Sequence, residues 1–262
     1  MSWGNAGITL AVCAVLLIVL LATSELTFRR AAHVREADRS VLLSLSGVAQ
    51  ATTLGMVGLL LAFALSMAES RFSHRRHLIV DEANAIGTAY LRADFLDPAV
   101  ASEVRERFVR YVDARLAFYE AGLDLDRQRD AEARTDRLQR EIWTRTATQA
   151  NAHPLAHPVS LYVAAVNEAI DRSGDRRAAA DDHIPPTFLA VLVFAAIIAC
   201  AATGYSCGLQ HRHFALSAIM VPVLLAIGIT SVVDLDAGRV GMIRTGQGAM
   251  LRLRDSLATQ SR

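Results

Sequence analysis

The sequence predicts an all-α, multi-pass membrane protein: four transmembrane helices, with a helical cytoplasmic domain between spans two and three. Three observations predict it. The stretches Ala6–Ser24, Val41–Ala68, Ile184–Gln210 and Phe214–Val233 contain no Asp, Glu, Lys or Arg, and a bilayer core about 30 Å thick needs roughly 20 apolar residues of helix to cross it. Between the second and third stretches lies a polar block, Glu69–His183, in which arginines alternate with acids. Within that block apolar residues recur at helical spacing, without the alternation of strands.

Composition narrows the class. Hydrophobic residues make up 53% of the chain, and the net charge is +1. All 27 basic residues are arginine. The near balance of charge in the polar block argues against a nucleic-acid surface, where one sign dominates a face. Cys13, Cys200 and Cys207 all fall in apolar stretches, where cysteine packs as a small hydrophobe and no disulfide framework is expected.

The elements follow in order. The first span is placed at 6–24. The N-terminal Met-Ser-Trp-Gly-Asn lacks the basic start of a secretory signal, so this span is read as retained. Cleavage is the alternative, because Ala-Thr-Ser follows the apolar run. The second span is placed at 45–68 and the polar block at 69–183. The block has no Gly or Pro from Arg71 until Gly87, so one helix is expected to run on from the second span. Asp97-Pro98 marks a helix start. The face Val100, Val104, Phe108, Tyr111/Val112, Arg115 and Phe118/Tyr119 follows it. Leu123–Ala150 is a largely polar helix with Leu138 and Ile142 on its inner face and Trp143 beside them. Pro154 and Pro158 separate it from a helix bearing Tyr162, Val166 and Ala169/Ile170. Pro185-Pro186 opens the third span, 186–209; the fourth is 214–234, and 235–262 is read as a cytoplasmic tail.

With four spans, both termini and the polar block share one side. That side carries Arg71, Arg75, Arg76, Arg172, Arg176, Arg177 and the tail arginines from Arg239 to Arg254. The other side carries Arg29, Arg30, Arg35, Arg39 and Arg212. The excess favours the block in the cytoplasm, and hence a cell inner (plasma) membrane protein.

The second span has two informative rows. Gly58, Ala62, Ser66 and Ser70 are small, spaced for close helix approach in lipid. Gly55, Leu59, Phe63 and Met67 form a bulkier row, able to ring a symmetry axis and gate by dewetting; periodicity alone favours ordinary packing for both rows. Glu69, Arg71, Arg75 and Arg76 lie just beyond, as charged-ring candidates for ion selectivity or as interfacial anchors. Glu82 and Asn84 are read as helix-packing residues, Glu82 by pairing with an arginine and Asn84 by hydrogen bonding a neighbouring helix. Gly87 is expected to allow a close crossing. No metal site is expected: His74 and His77 with Asp81 are opposed by Arg75 and Arg76, Pro154 breaks the helix between His153 and His157, and His211 and His213 share a tight loop. No enzyme motif and no cofactor site is found.

Several segments carry a resemblance. They are Gly58-Leu-Leu-Leu-Ala-Phe, Ser-Arg71-Phe-Ser-His-Arg-Arg, Glu82-Ala-Asn-Ala-Ile-Gly-Thr-Ala-Tyr-Leu-Arg92 and Tyr111-Val-Asp-Ala-Arg-Leu. Asn167-Glu-Ala-Ile-Asp, Ile184-Pro-Pro, Gly204-Tyr-Ser-x-Gly-Leu and Asp234-Leu-Asp…Gly241 complete the set. Together they are similar to the bestrophin-like family of bacterial membrane proteins. The resemblance implies a homo-oligomeric ion channel, a pentamer as in bestrophins, with cytoplasmic termini and a pore lined by the second span. Arg71-Phe72 matches the ending of the bestrophin neck helix, which selects Gly55, Leu59, Phe63 and Met67 as the neck and leaves Gly58, Ala62 and Ser66 for packing. Inorganic ions would be the permeating partners, anions by family and by the arginines, while Glu69 argues for cations. The sequence departs from the pattern at Gly55, which supplies no bulk. It also lacks the acidic run that binds calcium in animal bestrophins; Asp234 and Asp236 are read as a solvated membrane exit. The rival reading is a non-conducting membrane scaffold or sensor whose cytoplasmic helices dock a partner. A small transporter is a third, without the inverted repeats that class shows.

Overall fold

The computed structural model describes residues 3–211, 216–239 and 241–260. Its helices are α1 (Trp3–Ala32), α2 (Glu36–Arg92), α3 (Pro98–Glu120), α4 (Leu125–Ala152), α5 (His157–Asp181), α6 (Pro186–Leu209), α7 (Leu216–Ala237) and α8 (Gly248–Gln260), with a short 3₁₀ turn, Ala93–Phe95, after α2. Among the described residues no strand occurs. Arg212, His213 and Phe214, the last of which opens the expected fourth span, lie outside the described residues. Stretches long and apolar enough to cross a membrane are Ala6–Ala32, Glu36–Phe95, His157–Leu209 and Leu216–Ala237.

The chain divides into two compact units, Met1–Arg71 with His183–Ile243, and Phe72–Asp182 with Arg244–Arg262. The first holds α1, the start of α2, α6 and α7. Its tightest contact joins α1 to α6. A Cβ on Gly204 would lie 2.1 Å from the Ser24 carbonyl oxygen, and one on Gly208 would lie 2.4 Å from that of Phe28. Two glycines one turn apart thus let the two backbones touch, the device that replaces hydrophobic drive between helices in lipid. Leu20, Ser24, Phe28 and Ala31 form the matching stripe on α1, all buried. From α2, Val57, Ala64 and Ala68 enter the same core, and Leu61 lies against Gly228 of α7.

The expected solvated exit at Asp234 and Asp236 is corrected here, since both are buried. Asp234 accepts from the Thr9 hydroxyl at 2.6 Å, the Met242 N–H at 3.0 Å and the Ile243 N–H at 2.7 Å. It therefore ties the start of α1 to the turn after α7. Gly241 makes that turn with φ +116°, where a Cβ would strike the Asp234 carboxylate. Asp236 accepts from the Ile184 N–H at 3.1 Å and faces His183 Nδ1 at 3.2 Å. Buried carboxylates are stable only when hydrogen-bonded, and backbone N–H groups supply the bonds.

The second unit holds the end of α2 with α3, α4, α5 and α8. Asp97 occupies the position before α3 without a side-chain capping bond, and Pro98 sits in the first turn, where a missing N–H costs nothing. Ile79, Ile86, Phe108, Tyr111, Leu138, Ile142, Tyr162 and Val166 share one core. Met250 and Leu257 of α8 belong to it, so the segment expected as a tail completes this unit. Trp143, expected beside the inner face of α4, is 40% exposed. Thr135 and Thr146 take buried positions there instead, their hydroxyls donating to the Ala131 and Ile142 carbonyls.

Glu82 is fully buried at the centre of this unit. Arg115 donates to it through Nε at 2.6 Å and through a terminal nitrogen at 3.2 Å. Arg176 donates to its second oxygen. Arg176 also lies over the Tyr119 ring, 4.3 Å from the centroid, and donates to Gln247 at 2.6 Å. One carboxylate thus joins α2, α3, α5 and the segment before α8. Burial works against the Arg115 charge, and Glu82 more than offsets it, holding the guanidinium above its usual value.

Three outcomes are expected in thermal unfolding of the purified protein. Gly204→Val forces α1 and α6 apart and costs about 1–3 kcal/mol, as overpacking does. Glu82→Gln leaves two buried guanidinium groups without their counter-charge and costs about 3–5 kcal/mol; an unchanged melting temperature refutes its central role. Burial first, then the Glu82 charge, raises the Tyr111 phenol above its ordinary value of 10.0. A raised folded-state value gives stability that is present below 10.0 and lost as pH rises from there through the raised value. Melting temperature therefore falls on the alkaline side, and falls less in Tyr111→Phe.

Candidate functional site on the second helix

The candidate residues lie along α2, which is unbroken from Glu36 to Arg92. At 1.5 Å per residue it is roughly 85 Å long. Its buried positions include Val57, Ala64, Ala68, Arg75, Leu78, Glu82, Ala85 and Ala89. With half-buried Leu61 and Arg71 these make a seam stepping by alternating fours and threes, a period near 3.5.

Two residues along an α-helix turn the side chain about 200°, so the seam places the bulky row on the far side. Leu59 and Phe63 are each 57% exposed. Gly55 is exposed and Met67 half-buried. Gly58, Ala62 and Ser66 are also exposed, and a Cβ on Gly55 or Gly58 would meet nothing within 4 Å. The small row, expected to pack helices, therefore packs against no other helix among the described residues. It flanks the bulky row about 60° round the helix, and together they form one broad exposed face, without a partner among the described residues.

Met56, 62% exposed, escaped the sequence reading. It lies three positions before Leu59 and about 60° round the helix from it, on the opposite side from Gly55, which lies four positions before and about 40° round. Counting only by fours selects the glycine; an α-helix admits both spacings.

The charged candidates separate. Glu69 and Arg76 are exposed, and Arg71 is half-buried. Arg75, expected as a charged-ring candidate, is instead buried. Its guanidinium donates to the Ala179 carbonyl at 2.9 Å and the Asp182 carbonyl at 2.7 Å. It serves the open carbonyls at the C-terminus of α5, where a cation also suits the helix dipole. Asn84 is exposed. Gly87 lies under α8, where an added Cβ would sit 3.3 Å from Leu253 Cδ1.

Arg115 and Arg176, the partners of Glu82, were not singled out from the sequence as its ligands. The available signal was Arg115 itself, a charge within the apolar row of α3. Among the described residues no group of three or more His, Cys, Asp or Glu side chains gathers that could hold a metal ion.

The fold matches solved membrane proteins. A bacterial bestrophin homologue from Klebsiella pneumoniae superposes at TM-score 0.65 and 14% identity, covering 93% of this chain and 98% of its own. A tryptophan-to-alanine variant of a bestrophin homologue from the same organism gives TM-score 0.67 at 14% identity, covering 97% and 98%. A crystallised membrane protein with a proline-to-alanine change gives 0.69 at 13%, covering 94% and 98%. No curated protein sequence matches the chain. The model of the bestrophin-like domain matches residues 9–239, and the chain belongs to that family.

Proposed function

We propose that this protein is an ion channel of the inner membrane, a homo-oligomer whose pore is lined by α2. The observation that carries the reading is the exposed apolar face of that helix. Leu59 and Phe63, each 57% exposed, stand opposite the seam that packs α2 into its own chain. In a symmetric assembly such side chains would ring the axis and form an apolar neck, which gates by dewetting. Met56 would extend the neck at the level where Gly55 offers no bulk, and Met67 would edge it. Gly58, Ala62 and Ser66 would lie against the neighbouring subunit, where small residues permit close approach. Five subunits is the number the resemblance to bestrophins supplies. The arginine excess beside the polar block favours a cytoplasmic position for that block and for both termini.

Anions are the favoured ion. Arg76 and Arg71 would present positive charge beyond the neck, and Glu69 would oppose them. Arg75 takes no part, because its guanidinium is held on the end of α5.

The test is flux through liposomes carrying the purified oligomer, with chloride and sodium gradients applied separately. Phe63→Ala widens the neck and is expected to raise flux several-fold, as removal of a dewetting barrier does. Glu69→Gln is expected to raise chloride flux relative to sodium. Absence of flux from a correctly folded wild type and from Phe63→Ala alike would move the protein to the scaffold class.

A further inference from the structure

An open cleft of about 330 Å³ lies in the helical unit between α3 and α4. It is lined by Arg107, Arg137, Arg140, Glu141, Thr144 and Arg145. Two of its arginines are already matched. Arg145 Nε lies 3.0 Å from Glu103, and Arg107 Nε lies 3.4 Å from Glu141. The other two are not: Arg137 and Arg140 have no hydrogen-bond or ion-pair partner for their guanidinium groups among the described residues. Of the acids adjacent in sequence, Asp136 is engaged by Arg177 and Glu141 by Arg107. With the two glutamates counted, the cleft keeps two uncompensated positive charges.

We propose that this cleft binds a phosphoryl-bearing anion of at least two negative charges. Arg137 and Arg140 are three residues apart on one helix, which brings their Cβ atoms to about 5–6 Å. Guanidinium forks so placed reach the oxygens of one phosphoryl group or of two linked ones, each by paired N–H donors. Arginine stays charged at every accessible pH, so the site does not titrate away. The pairs Arg145–Glu103 and Arg107–Glu141 hold the walls and leave the two free guanidinium groups to the ligand. A halide, with a single charge and no oxygens, fits this arrangement poorly. The same chemistry is offered by a soluble phosphate ester and by a lipid headgroup. The inference is independent of whether the protein conducts ions.

The probe is inorganic pyrophosphate, titrated calorimetrically into the full-length protein in neutral detergent at low ionic strength, since exposed charge pairs are screened by salt. Saturable binding is expected. Arg137→Gln with Arg140→Gln should weaken it by about tenfold or more. Arg127→Gln with Arg129→Gln removes the same charge from the same helix outside the cleft, and should change it by less than about twofold. The variants alter exposed residues, and equal melting temperatures would verify their folds. A second arm repeats the titration in phosphatidylcholine nanodiscs with and without phosphatidic acid. Competition by phosphatidic acid identifies a lipid headgroup as the occupant, and its absence identifies a soluble phosphate. No saturable binding to the folded wild type overturns the proposal, as does equal loss in both double variants, which would mean general attraction to a basic surface.

Discussion

The buried seam of α2 fixes where every other side chain of that helix points. Val57, Leu61, Ala64 and Ala68 begin it, and Arg75, Leu78, Glu82, Ala85 and Ala89 continue it. Within each compact unit the seam sets the phase of the stretch of α2 that belongs to it. Leu59 and Phe63 are exposed because they lie on the side of α2 away from the seam, and Glu82 is buried because it belongs to the seam.

The seam changes chemistry along its length. Near α6 and α7 it uses small and aliphatic side chains against lipid-type packing, where association depends on close fit. Further on it carries Arg75 and Glu82, charges that survive burial only through complete hydrogen bonding. Arg75 finds carbonyls at the end of α5, and Glu82 finds two guanidinium groups. The second arginine over one carboxylate leaves a positive charge that the Tyr119 ring face and the Gln247 oxygen partly offset. Asp234 and Asp236 apply the same rule, with backbone N–H groups as donors. Such residues serve as joints between segments distant in sequence, and they tolerate substitution poorly.

This divides the arginines by environment. Arg75, Arg115 and Arg176 are buried and spent on structure. Arg137 and Arg140 are exposed and uncommitted. Arg71 and Arg76 lie on α2 beyond the apolar face. A count of charges treats all of these alike, yet the buried ones are not available to an ion or a ligand.

Much of the architecture was legible because it rests on local chemistry. Uncharged runs of about 20 residues give membrane spans; Pro98, Pro154, Pro158 and Pro186 punctuate the helices through their missing N–H groups; and the absence of Gly and Pro between Arg71 and Gly87 allowed one long α2. The rows at Leu59 and Phe63 were readable from helical spacing, but which row faces away from the chain was not. That depends on what packs on the other side. The α2 seam was hidden because its members Arg75 and Glu82 are polar and carry no hydrophobic signal. Gly204 and Gly208 stood in the sequence as part of a motif, and their reason, backbone contact with Ser24 and Phe28, exists only across α1 and α6. The C-terminal helix likewise joins the core through Met250 and Leu257, whose partners are far away in sequence. Local periodicity is set by covalent geometry and is written in the chain. The partner of a buried charge, or of a glycine, is set by tertiary packing, because it lies on another segment.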